Sequence, residues 1–122
     1  MKVTVRVSKS FKRQAKPLMK KFHSLSRELA QLENNLLDNP RLGTSIGQDS
    51  YKIRISVKSK GKGKSGGLRI VSHIDTEIVG LLEIEGENII VNLISIYDKS
   101  ETASITDKEL RDLISGLKKR IT

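Results

Sequence analysis

The 122 residues include no cysteine and no tryptophan, with only two phenylalanines, two tyrosines and two prolines. Without cysteine there is neither a disulfide framework nor a thiolate zinc site, which suits a reducing cytoplasm. With so few aromatics, a stacking platform of the kind that grips single strands without sequence preference is not expected. Long apolar runs are missing as well. The longest, around Ile89 to Ile94, is broken by Asn92 and falls far short of a bilayer span, and the opening MKVTVRVSKSF has no apolar stretch of the signal-peptide kind. These absences predict a soluble, cytoplasmic protein of one domain, residues 1–122, with a single core.

Acid is also missing, but only in places. Residues 1–27 carry nine bases (Lys2, Arg6, Lys9, Lys12, Arg13, Lys16, Lys20, Lys21 and Arg27) and no acid. The stretch YKIRISVKSKGKGKSGGLRIVSHI, 51–74, carries Lys52, Arg54, Lys58, Lys60, Lys62, Lys64 and Arg69, again with no acid. Acids gather instead between Asp75 and Asp112, where ten stand against Lys99, Lys108 and Arg111. The net charge is +9. A surface kept for solubility mixes both signs. A single-signed stretch with glycines at 61, 63, 66 and 67 lets backbone come close to an anion, so a polyanion, above all nucleic acid, is the expected partner. Lys52, Arg54, Lys62 and Lys64 are the expected nucleic-acid contacts, RNA contacts on the resemblance given below.

Periodicity places these residues. Val3, Val5 and Val7 alternate with Lys2, Thr4 and Arg6 as in a strand with one face inward. Phe11, Ala15, Leu18, Met19 and Phe22 recur at helical spacing, with Ser8 or Ser10 as cap. Pro17 either kinks that helix or marks its true start. Leu25, Leu29, Leu32 and Leu36 form the stripe of a second helix ending before Asn39-Pro40, so the two make a helical hairpin. Arg41 to Asp49 reads as loop. Ile53, Ile55 and Val57 face the core with Lys52, Arg54, Ser56 and Lys58 opposite, and Leu68, Ile70, Ser72 and Ile74 resume after the glycine-lysine loop with Arg69, Val71 and His73 opposite. Arg69 is thus expected on the face away from the core, where replacement by Ala costs within about 0.5 kcal/mol. The acidic segment 75–87 suggests an extended or bulged hairpin arm turning at Glu85-Gly86. Ile89 to Ile96 is apolar on both sides, as in a strand between two layers. Thr106 and Glu109 make a capping box for a last helix with Leu110, Leu113, Ile114 and Leu117 as its stripe. The plan is α+β: strand, helical hairpin, antiparallel sheet of three or four further strands, C-terminal helix.

Two nucleotide motifs fail on context. Gly61, Gly63 and Gly66 satisfy G-x-G-x-x-G, but strand periodicity follows where a helix must begin. Gly63-Lys64-Ser65 resembles the tail of a P-loop, yet its leading glycine would have to stand at 58, which is Lys58. His23 and His73 have no partner at ligand spacing, so no metal and no cofactor are expected. Arg69 and His73 lie about 13 Å apart along a strand, too far to serve one phosphate together.

NPRLG at 39–43, YKIR at 51–54, KGKGKSGGLR at 60–69 and ISIYDKSE at 94–101 together resemble the RelE/ParE superfamily of toxins from bacterial type II toxin-antitoxin systems, closer to its RelE/HigB-like ribonuclease branch. The resemblance runs from about Phe11 to Leu113. It implies a compact RelE-like endoribonuclease that works in the ribosomal A site, cuts messenger RNA by attack of a ribose 2′-hydroxyl on the adjacent phosphate, and is restrained by a cognate antitoxin. Its partners are then antitoxin, ribosome and mRNA, with no membrane. On this resemblance Arg69 falls on the family's phosphate-binding arginine and Lys99 on a second cation. Lys58, Lys60, Lys62 and Lys64 fall in the region of its catalytic lysines. The tyrosine that the family's prototype carries near its C-terminus has no counterpart after Tyr97, which leaves Tyr97, a loop lysine or Glu101 as general base. The ParE-like alternative keeps the fold but inhibits DNA gyrase without catalysis, and a third is an RNA-binding domain without activity.

Overall fold

The computed structural model describes residues 2–60, 67–78, 87–100 and 104–119. β1 (Lys2–Val7) leads into α1 (Lys9–Lys21) and α2 (Leu25–Asp38). Then come β2 (Thr44–Gly47), β3 (Ser50–Ile55), a single 3-10 turn (Lys58–Lys60), β4 (Leu68–Ile78), β5 (Glu87–Asp98) and α3 (Asp107–Lys119). The α+β plan is the one the periodicities predict.

The five strands stand in the order β1-β5-β4-β3-β2. The helical hairpin carries the chain from one edge of the sheet to the other, and the chain then returns strand by strand until β5 lies beside β1. The return strands pair antiparallel, while β1 pairs parallel with β5 from Lys2 opposite Asn88 to Val7 opposite Leu93. Parallel neighbours need a long crossover, and here everything from α1 to β4 supplies it.

Two layers of helix cover the sheet. On one face Phe11, Ala15, Leu25, Leu32 and Leu36 pack on Ile53, Leu68, Ile70, Ile89, Val91 and Ile96. On the other, Leu110 and Ile114 of α3 pack on Val71, Ile94 and Tyr97. β5 is therefore apolar on both sides because both sides are buried.

Local chemistry explains the helix ends. Ser8, not Ser10, caps α1 by accepting from the Phe11 amide at 3.1 Å, and the Ser10 hydroxyl instead donates to the Ile94 carbonyl at 2.8 Å. α1 runs unbroken through Pro17. The lost bond to the Arg13 carbonyl is outweighed by Phe11 and Ala15 before it and Leu18 and Phe22 after it, all anchored in the core. The capping box of α3 is formed: the Thr106 hydroxyl accepts from the Glu109 amide, and the Glu109 carboxylate accepts from the Thr106 amide.

Three expectations change. Thr44–Gly47, read as loop, is a strand whose pairing with β3 is bulged between Ser45 and Gly47. β4 does not stop at Ile74 but runs on to Ile78, paired antiparallel with β5 from Glu87, which makes the extended form of the expected hairpin arm part of the main sheet, and the turn expected at Glu85-Gly86 lies outside the described residues. β3 ends at Ile55, although Val57 keeps the alternation and enters the core.

Candidate functional site: a cationic row across three strands

Register builds the site. Arg54 of β3 stands directly opposite Arg69 of β4, and Arg69 directly opposite Tyr97 of β5. Residues opposed in this way share a face, with Cβ atoms about 4.5–5.5 Å apart. Arg54, Arg69 and Tyr97 thus form one row on the side of the sheet that α3 covers, with Lys52 two residues from Arg54 on the same face. Like charges directly opposed across strands destabilise a sheet.

The row is graded in depth. Arg54 is exposed and Lys52 half-buried, whereas Arg69 is only 3% exposed, with a guanidinium nitrogen donating to the Leu68 carbonyl at 3.5 Å. This corrects the expectation of a surface position. Arg69 does face away from the α1–α2 core, but that face carries a second layer, to which its neighbours Val71 and Tyr97 belong. Tyr97 is buried, and its hydroxyl has no hydrogen-bond partner among the described residues.

The remaining expected site residues go elsewhere. Lys60 donates to the Asp98 carboxylate at 2.7 Å and lies 5.9 Å from the centre of the Phe22 ring. Asp98 is opposite Leu68, a residue of the α1–α2 core, so Lys60 sits across the sheet from the arginine row. Burial pushes the Asp98 carboxyl up, but hydrogen bonds from Lys60 and Ser100 and the Lys60 charge more than offset it, and the net shift is downward. Lys58 is exposed on the 3-10 turn, where its backbone amide donates to Glu28 at 2.7 Å. Lys99 is exposed in the turn after β5. Lys62, Lys64 and Glu101 lie outside the described residues.

Gln14 holds the end of β5 in place. β1 pairs no further than Leu93, and beyond that point the Gln14 side-chain oxygen accepts from the Ile96 amide at 2.9 Å and the Ser95 hydroxyl at 3.1 Å. A cavity of about 320 Å³ opens there, lined by Gln14, Ser95, Tyr97, Ile105, Glu109, Asp112 and Leu113. Nothing in the periodicity of α1 marks Gln14 for this duty.

His73 has partners that its sequence position concealed. One ring nitrogen lies 3.1 Å from the Ser50 hydroxyl and the other 3.5 Å from the Asp75 carboxylate, which also accepts from Asn92 at 2.9 Å. The composition is that of a hydrolytic triad, but the geometry is not. Ser50 is fully buried and its hydroxyl donates to the Gln48 carbonyl at 3.0 Å, so no substrate can reach it. The carboxylate two residues along the same strand face was the available signal. Among the described residues, no three side chains of metal-ligating type come together.

No family model and no curated protein matches this chain. Among solved structures it is similar to a double-arginine mutant of the E. coli toxin RelE in the free state, at 21% sequence identity and a TM-score of 0.49, with 100% of each chain covered.

Proposed function

We propose that the chain is the toxin of a toxin-antitoxin pair, an endoribonuclease that cuts messenger RNA on the ribosome by metal-free attack of a 2′-hydroxyl on the adjacent phosphate. The observation that carries this reading is the Arg54-Arg69-Tyr97 row with Lys52 beside it. A scissile phosphate meets Arg54 first. Arg69 acts from beneath, where low polarity strengthens its field on the charge that develops in the phosphorane. The Tyr97 hydroxyl, without a hydrogen-bond partner among the described residues, is the row's proton carrier. The cationic row needs neutralising in the cell that makes it, and an antitoxin laying carboxylates along it does so.

Single-turnover cleavage on programmed ribosomes tests this. Arg54→Ala should cut more slowly by a few hundredfold, the usual effect of removing one donor aimed at a developing oxyanion. Near-normal cleavage by Arg54→Ala and Arg69→Ala together sinks the assignment. Inhibition of gyrase supercoiling without messenger cleavage would point to the ParE-like activity instead.

A further inference from the structure

The cavity beside Tyr97 is contiguous with the cationic row, because Tyr97 belongs to both. Its walls divide by chemistry. The Tyr97 ring, Ile105 and Leu113 offer apolar faces, while Gln14, Ser95, Glu109 and Asp112 place polar groups around the rim. At about 320 Å³ it lies at the small end of ligand sites. Several of its polar groups still have capacity. The Gln14 oxygen is occupied by Ile96 and Ser95, which leaves its amide N–H groups to donate. Asp112 is exposed and open to a ligand, and the buried Tyr97 hydroxyl has no hydrogen-bond partner among the described residues. A flat ligand with a hydrogen-bonding edge fits such a space.

We infer that this cavity receives one unstacked base of the RNA whose phosphate lies on the Arg54-Arg69 row, and that it selects bases carrying an amino group. The inference rests on the proposed function and names the specificity of the same site. Arg54 and Tyr97 are two strand spacings apart, about 10 Å, which suits a phosphate at one end and its base beyond the other. Proteins read single-stranded RNA by splaying bases out, packing their faces on aromatic rings and bonding their edges. Among the described residues that line the cavity, the charged groups are both carboxylates, Glu109 and Asp112, which accept hydrogen bonds and cannot donate them. Cytosine offers its N4 amino group to such an acceptor, whereas uracil presents a carbonyl oxygen at the same position. Uridine is therefore disfavoured.

The test compares binding of octacytidylate and octauridylate at one fixed salt concentration. Both are pyrimidine oligomers of one length and one charge, so base size and phosphate contacts are matched. The wild-type chain should bind octacytidylate about tenfold more tightly. Asp112→Asn, at an exposed position where the fold is not at stake, should narrow that gap because an amide can also donate to uracil. Tyr97→Phe keeps the ring and should weaken both oligomers equally. Equal affinity of the wild type for the two, or a gap that Asp112→Asn leaves unchanged, overturns the base pocket while leaving the phosphate row standing. Failure of the wild type to bind either oligomer overturns both.

Discussion

Arg54 and Arg69 face each other across β3 and β4 but hold opposite relations to stability. Arg54 is exposed and burdened by its like-charged neighbour, so Arg54→Ala should leave the melting temperature unchanged or raise it, by the equivalent of about 0.2–1 kcal/mol. Arg69 is buried, and Arg69→Ala leaves a void and strands the groups it touches, a loss of about 2–4 kcal/mol. Thermal unfolding of the two variants side by side checks the contrast, and equal effects would contradict the depth assigned to the row. Asp98 carries a pH dependence. Its carboxyl lies below its ordinary 3.8 in the folded chain, so the unfolded chain takes up the proton first as pH falls. The stability it contributes is therefore fully present above about pH 4 and is lost as pH drops through the folded value. In Asp98→Asn the acid limb of the stability profile should flatten in that range, as denaturant melts at a series of pH values would register.

At the scale of elements, two local conflicts are visible and each can be relieved. α1 passes through Pro17, which is exposed and denies the Arg13 carbonyl its partner. Pro17→Ala restores the bond, and after allowing for the greater freedom of the unfolded chain it should stabilise by about 1–2 kcal/mol in denaturant melts. The turn between β2 and β3 holds Gln48 and Asp49 at φ 55° and 54°. Asparagine tolerates that left-handed conformation better than glutamine, so Gln48→Asn should gain about 0.5 kcal/mol. Gly43 is not open to such repair, since at φ 106° a Cβ would stand 2.5 Å from the Lys52 carbonyl oxygen. β2 itself was illegible in the sequence. Four residues ending in glycine have too little period to declare a strand, and only the partner β3 makes them one.

For the molecule as a whole, charge is divided by the sheet, and salt dependence should expose the division. If phosphates lie on the arginine row, Lys52→Ala and Arg54→Ala should each reduce the slope of log RNA affinity against log salt by about 0.7–0.9. Lys60→Ala should not. Its ammonium is held by Asp98 on the opposite face, so the excess charge of the glycine-lysine stretch overstates what the arginine row presents to an anion. A slope that falls as much for Lys60→Ala as for Arg54→Ala would show that the ion pair opens on binding.

Periodicity, caps and turn residues by themselves determined most of the elements: β1, the helical hairpin, the start of β4, the doubly buried β5 and α3 with its capping box. They also determined that the cations of 51–74 are single-signed. These properties are local, because alternation and helical spacing assign each side chain to a face of its own element. Only the tertiary structure decided which faces meet. It set Arg69 between Arg54 and Tyr97, buried it beneath a second helical layer, sent Lys60 across the sheet to Asp98, and brought Ser50 to His73. Register and layering depend on partners distant in the chain, chosen by which apolar surfaces can be buried together, and a side chain's own neighbours in sequence carry no record of that choice.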